Sequence, residues 1–77
     1  MRELLEYLVG ALVEKPDAVK VEEFEEDDGT LVLEVSVAQE DYGKVIGRGG
    51  RTAQALRTVV KAAAVKDNRR VLVDIVE

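Results

Sequence analysis

The first segment of the chain has the apolar spacing of an amphipathic helix. Its hydrophobic residues recur three and four positions apart, with glutamates between them, and Pro16 follows. This pattern predicts a helix over residues 2–14 that ends before the proline. The residues predicted to face the core are Leu4, Leu5, Leu8, Val9 and Leu12.

Residues 18–37 have the two-residue period of β-strands. The second half alternates cleanly, with Leu31, Leu33, Val35 and Val37 on one face. The first half, residues 18–26, changes phase between Val21 and Phe24, which predicts a β-bulge. The turn signal DDGT at residues 27–30 joins the two halves, so the segment is predicted to form a β-hairpin.

The second half of the chain returns to helical spacing and then ends in an alternating segment. A short helix is predicted over Gln39–Ile46, and a longer one from Gly50 or Arg51 to Val65. The last strand is predicted over Val71–Val76, with Val71, Val73 and Ile75 on one face. The long helix is predicted to bury Ala53, Leu56, Val59, Val60 and Ala63 and to expose Arg57, Lys61 and Lys66.

The predicted element order, α-β-β-α-α-β, restricts the fold. Two strands joined through helices in one sheet become parallel by a right-handed crossover, whereas the hairpin adds an antiparallel neighbour. The expectation is an α+β fold in which a three-stranded mixed sheet packs against three helices. At 77 residues the chain has the length of one domain, residues 1–77.

Composition excludes several kinds of chemistry. The chain has neither cysteine nor histidine, so disulfides, thiolate–metal sites and the usual nucleophile–base pairs are absent. We therefore expect no enzyme activity, no metal and no cofactor. The apolar run LLEYLVGALV is too short to span a bilayer, and no signal peptide precedes it, so a soluble, cytoplasmic protein is expected.

Charge is unevenly distributed along this acidic chain, whose net charge is −5. Residues 1–43 hold thirteen acidic and three basic residues, whereas residues 44–70 hold eight basic residues and one acidic residue. Because the local field governs the binding of a polyanion, the second region is the candidate nucleic-acid surface.

The basic region contains a glycine-rich loop, Gly47-Arg48-Gly49-Gly50, between two predicted helices. Glycines permit positive φ and let a ligand approach the backbone. We expect the amides of Gly49, Gly50 and Arg51, at the start of the long helix, to be free to bind a phosphate. The loop is therefore predicted to bind a sugar-phosphate backbone.

Other interpretations of these segments are weaker. Glycines can simply permit a tight corner between helices, but two would suffice, and here a third is interleaved with arginine. The loop is neither a Walker A motif nor a dinucleotide fingerprint, since the required spacings are absent. An acid–base enzyme using the run Glu22–Asp28 is disfavoured because exposed carboxylates lack the burial that tunes a catalytic group.

The stretch KVIGRGGRTAQALR, in its α-β-β-α-α-β context, resembles the signature Val-Ile-Gly-x-x-Gly of KH domains of type II. The resemblance covers the whole chain and implies a cleft for about four unpaired nucleotides. By position it implies a backbone clamp at the glycine loop, an apolar base platform preceding it, and basic support for the phosphates. The corresponding residues are Lys44, Val45, Ile46, Gly47, Arg48, Gly49, Gly50 and Arg51.

The resemblance also implies partners. Single-stranded RNA is the expected ligand, bound weakly and broadly by an RNA chaperone or post-transcriptional regulator, since the one aromatic near the clamp, Tyr42, is expected to pack rather than stack. Family members form homodimers and pair with a second, larger KH protein of the Jag/KhpB type, in networks that affect cell elongation and division. The alternative is a protein-interaction adaptor of the same fold with little RNA contact, whose acidic half docks a basic partner. The sequence leaves open whether Arg57, Lys61, Arg69 and Arg70 touch RNA.

Overall fold

A computed structural model describes residues 1–77, and the elements follow the predicted order. The helices are α1 (Arg2–Gly10), α2 (Tyr42–Ile46) and α3 (Arg51–Lys66), and the strands are β1 (Lys20–Glu25), β2 (Leu31–Ser36) and β3 (Val71–Val76). Short 3₁₀ turns occupy Pro16–Ala18, Gln39–Asp41 and Arg48–Gly50.

The three strands form one mixed sheet in the order β1-β2-β3, as predicted. β1 and β2 pair antiparallel across the hairpin, and β2 pairs parallel with β3 from Leu31↔Val71 to Ser36↔Val76. The hairpin turn is closed by Asp28, whose carboxylate accepts the amide of Thr30 at 2.9 Å. β2 is therefore the central strand, and β3 is an edge strand beside α3.

The core lies between the sheet and the helices. α1 packs on β1 and α3, α3 packs on β3, and α2 packs on α3. Every buried strand residue lies on the helix side of the sheet, so the structure is the two-layer α+β arrangement that the sequence predicts. The buried strand residues are Val21, Leu31, Leu33, Val35, Val71, Val73 and Ile75.

Helix α1 ends at Gly10, earlier than the predicted end at residue 14. The helical ladder closes with a tighter bond from the amide of Leu12 to the carbonyl of Val9 at 2.9 Å. The buried carboxylate of Asp41 accepts hydrogen bonds from the amide of Glu14 at 3.2 Å and from that of Lys15 at 3.0 Å, so these amides do not continue the helix. Leu12, predicted to face the core, is consequently 40% exposed.

The predicted β-bulge in the first strand is wrong. β1 pairs residue for residue with β2 over its whole length, from Lys20↔Ser36 to Glu25↔Leu31. Val21 faces the helices, whereas Phe24 lies three positions on and therefore faces the other side of a regular strand. The phase change in the sequence marks a side chain on the opposite face, not an extra residue.

The buried face of α3 is slightly rotated from the predicted one. Ala53, Leu56 and Val60 are buried as expected, and Ala64 joins them. Val59, by contrast, is 46% exposed, and Ala63 is only partly buried. The prediction was wrong for Val59, whose side chain contributes to a surface rather than to the core.

Candidate nucleic-acid interface

The glycine loop connects α2 to α3 through a turn that ordinary residues adopt with difficulty. Gly47, Gly49 and Gly50 have φ values of 77°, 64° and 79°, all in the region that favours glycine. The prediction of positive φ in this loop is therefore confirmed.

Gly47 has a second requirement besides its backbone conformation. A Cβ at this position would lie 2.2 Å from Thr52 Oγ1 and 2.9 Å from the backbone nitrogen of Thr52. The loop thus folds back on the first turn of α3 with no room for a side chain. At Gly49, in contrast, a Cβ would meet nothing within 4 Å, so this residue presents its backbone to open space.

Two of the three amides predicted to be free are already hydrogen-bonded. The amide of Gly50 donates to the carbonyl of Gly47 at 3.1 Å, and that of Arg51 donates to the carbonyl of Arg48. These bonds close the 3₁₀ turn that precedes α3, a common way of satisfying donors at a helix start. The expectation of free amides is therefore wrong for Gly50 and Arg51.

Arg48 and Arg51, the two arginines of the loop, are exposed. Neither has a carboxylate within 4 Å, and all the ion pairs of the structure are made by other lysines and arginines. Arg48 lies inside the turn and Arg51 begins α3. Their guanidinium groups are consequently available to an external anion.

Lys44, one turn before the loop, is engaged differently. Its Nζ lies 2.8 Å from Glu14 Oε2 and 3.7 Å from Asp41 Oδ1. The hydrogen bond to Glu14 is the main reason why the pKa of Lys44 is raised. Lys44 is therefore charged but internally paired, unlike the two arginines.

The apolar residues before the loop have different environments. Val45 is fully buried in the core, so its side chain holds α2 in place and offers no surface to a ligand. Ile46 and Tyr42 are partly buried against the same core. Of the two predicted platform residues, only Ile46 retains exposed surface.

Arg57 was predicted to face solvent but instead bridges α3 and the edge strand. Its Nε donates to the carbonyl of Val73 at 3.2 Å, and its Nη1 donates to Gln54 Oε1 at 3.1 Å. Beyond it, at the far end of α3, an open cleft of about 630 Å³ is lined in part by Lys61, Arg69 and Arg70. Arg69 and Arg70 are paired with Glu25 at 3.4 Å and Asp28 at 4.0 Å, whereas Lys61 has no acidic partner.

A mixed sheet in the order α-β-β-α-α-β, with a Gly-x-Gly-Gly turn between α2 and α3, defines a KH domain of type II. The family model described as KhpA/KhpB, KH domain, matches residues 2–75, and the chain belongs to this family.

Similar proteins span the whole chain. The RNA-binding protein KhpA of Clostridium acetobutylicum is 53% identical over 76 residues, which are 99% of this chain and 100% of that protein. The RNA-binding protein KhpA of Halalkalibacterium halodurans is 54% identical over 78 residues and covers 100% of both chains. Both relatives are named as RNA-binding proteins.

Solved structures with the same fold include Aquifex aeolicus Era bound to GDP and AlF4−, with a TM-score of 0.62 and 20% identity. Another is Era in complex with MgGDPNP and a segment of 16S ribosomal RNA, with the same TM-score and identity. The match covers 96% of this chain but only 28% of each Era chain, so the likeness concerns one part of Era and shows the fold. None of the three helices of this chain has the length and hydrophobicity that crossing a membrane requires.

Proposed function

We propose that residues 1–77 act as a single KH domain that binds single-stranded RNA in the cytoplasm, as an RNA chaperone or post-transcriptional regulator. The observation that carries the proposal is the pair of exposed, unpaired arginines, Arg48 and Arg51, set on a positive-φ glycine turn at the start of a 16-residue helix. Guanidinium groups and a helix start both favour a phosphate. The relatives' common name, RNA-binding protein KhpA, supports the same ligand.

The contacts in this proposal differ from a simple amide clamp. The amides of Gly50 and Arg51 serve the turn, so the backbone donors offered to RNA are those of Arg48 and Gly49, which take no part in the two capping bonds. Gly49 leaves space for a ribose-phosphate strand to lie against the turn. Ile46 supplies the apolar surface for a base, and Lys44 reaches a phosphate by leaving Glu14.

The test is the double variant Arg48→Asp, Gly49→Asp, measured for single-stranded RNA binding by fluorescence anisotropy. Both positions are exposed, and aspartate tolerates the left-handed conformation better than most residues, so the fold should persist. Removing the charge-assisted hydrogen bonds of Arg48 should weaken binding by about tenfold or more.

A matched control separates the loop from net charge. The variant Ala62→Asp, Lys66→Asp changes the charge by the same amount at exposed positions near the far end of α3. It should bind RNA with less than about a threefold change, because charges beyond a Debye length of about 8 Å are largely screened. Equal weakening in both variants would reject the loop as the binding site.

We also propose that this KH domain pairs with a second one, either as a homodimer or with a larger KH protein of the Jag/KhpB type. An apolar groove of about 320 Å³ between α1 and α3 supports it, since Leu12 and Val59 are 40% and 46% exposed at its rim. Pairing would raise the effective concentration of weak RNA sites. For the homodimer, the parent chain should have the mass of two copies in light scattering and Val59→Glu the mass of one. A dimeric mass for both chains would contradict this surface.

A further inference from the structure

The side of the sheet that faces away from the helices, which we call the open face, carries alternate residues of all three strands. It is distinct from the helix-side loop considered above. The strand registers arrange it as three lateral rows of one residue per strand. These rows are Phe24, Val32 and Leu72; Glu22, Glu34 and Asp74; and Lys20, Ser36 and Val76.

The first row is an apolar stripe without cover. Phe24 pairs with Val32, and Val32 pairs with Leu72, so the three side chains stand side by side across the sheet. Phe24 is 48% exposed and Leu72 is 47% exposed. Phe24 and Leu72 are thus exposed to water on either side of Val32. A partner that buried these side chains would gain free energy from the loss of apolar surface.

The second row places three carboxylates beside one another. Glu22, Glu34 and Asp74 occupy paired positions, and no lysine or arginine nitrogen lies within 4 Å of any of them. Like charges directly opposite one another in a sheet are unfavourable. The chain itself supplies nothing that relieves this repulsion, apart from Lys20 one row away.

Charge restricts what can occupy the open face. RNA is repelled by the carboxylate row. A second copy of this chain, docked through the same face, would bring three more carboxylates to it. The complementary occupant has lysines or arginines along one side and apolar side chains along the adjacent side.

The dimensions of the open face point to a single helix. Three strands about 4.8 Å apart and rows about 6.7 Å apart give a patch of about 10 by 13 Å. An α-helix with its side chains is about 10–12 Å wide, and two of its turns are about 11 Å long. The patch therefore matches about two turns of one helix.

We propose that the open face docks a short, basic, amphipathic helix of a partner protein. Its apolar residues cover Phe24, Val32 and Leu72, and its lysines or arginines pair with Glu22, Glu34 and Asp74. Because the glycine loop lies between α2 and α3, on the helix side of the sheet, the same molecule holds this helix and RNA at once.

The probe for the test is a synthetic 14-residue helical peptide of leucine and lysine, with a leucine–glutamate peptide as its counterpart. Titration of the ¹⁵N-labelled protein with the lysine peptide should shift the amide signals of the three strands and leave those of residues 47–50 in place. The leucine–glutamate peptide should not bind. Signal changes spread over all acidic segments, or no binding of the lysine peptide, would overturn the proposal.

Two substitutions sharpen the result. Leu72→Ser and Glu34→Lys, both outside the core, should each weaken peptide binding. Glu34→Lys should do so by about fivefold or more, because an ion pair with the peptide is replaced by a repulsion between like charges. Glu6→Lys on the exposed side of α1 makes the same charge change as Glu34→Lys and should leave peptide affinity unchanged. Equal weakening by Glu6→Lys, or full retention in the Leu72→Ser, Glu34→Lys double variant, would contradict docking at this face.

Discussion

The Nε of Arg57 donates a hydrogen bond to the backbone carbonyl of Val73, and so ties the middle of α3 to the edge strand β3. The sequence offers no indication of this bond, since Arg57 falls on the outer side of the helical pattern. The side chain is partly buried, which places a guanidinium group between two secondary-structure elements rather than in solvent.

Replacing Arg57 by alanine should lower the free energy of unfolding by about 1 kcal/mol, because one partly buried hydrogen bond is removed. Urea denaturation followed by circular dichroism measures this. Lys61→Ala serves as the control on the same helix, since Lys61 is exposed and has no partner, and should change stability by less than about 0.5 kcal/mol. Equal stability of both variants would show that the bond to Val73 contributes nothing.

Gly47→Ala should be far more destabilising than Gly49→Ala. At Gly49 the cost is the left-handed conformation, about 1–2 kcal/mol. At Gly47 a clash with Thr52 adds to it, and overpacking of this kind costs about 1–3 kcal/mol more. Thermal unfolding of both variants gives the comparison.

Gly43→Ala is the reference for the two loop glycines. Gly43 lies within α2 and has open space around it, so alanine should stabilise the chain by about 0.5–1 kcal/mol. Similar melting temperatures for Gly47→Ala and Gly49→Ala would contradict the contact with Thr52.

Because of Asp41, the free energy of unfolding should depend on pH in the acidic range. Burial alone would raise the pKa of Asp41, but the amides of Glu14 and Lys15 and the ammonium group of Lys44 outweigh burial and lower it. A depressed pKa in the folded state gives stability that is present above the unfolded value of about 3.9 and is lost as pH falls through the folded pKa.

The variant Asp41→Asn isolates this contribution. It should be less stable than the parent chain at pH 7, and the difference should shrink as pH falls below about 3.9. Urea titrations at several pH values measure both. A difference that stays constant down to about pH 2.5 would mean that the ionised carboxylate is not what holds residues 14 and 15.

Glu14→Gln should strengthen RNA binding if Lys44 joins the phosphate contacts proposed above. In the structure Glu14 holds Lys44 at 2.8 Å, so RNA must displace an exposed ion pair. Removing that competitor should raise affinity by about two- to threefold. Glu3→Gln removes the same charge from the first turn of α1 and should have a smaller effect. No difference between the two variants would indicate that Lys44 stays outside the interface.

RNA binding should weaken with salt in a defined way. Contacts to about three phosphates predict a slope near −2 in a plot of log K against log salt for a single strand. Arg48→Ala should make that slope less steep by about 0.7. A slope near zero in the parent chain would show that phosphates are not the principal contact.

The sequence predicts the element order, the mixed sheet and the positive-φ loop because each depends on local pattern: apolar period, turn residues and glycine spacing. It does not predict features that depend on distant partners. The amides of Glu14 and Lys15, which follow α1, bond to Asp41, 27 and 26 residues away, and the position of Arg57 depends on a carbonyl of β3. The sequence also does not reveal that the amides of Gly50 and Arg51 bond within a 3₁₀ turn, because no residue type in the loop is specific to such a turn.

The parallel pairing of β2 with β3 has a consequence for synthesis of the chain. β2 needs both neighbours, and the second of them begins only at Val71, forty positions after its partner Leu31. During synthesis, β2 therefore has only β1 as a neighbour until residue 76 has been added. Over that time one edge of β2, which includes Leu33 and Val35, has no strand to pair with. Until β3 is present, that edge of β2 offers unpaired backbone groups to which a strand of another chain can bond.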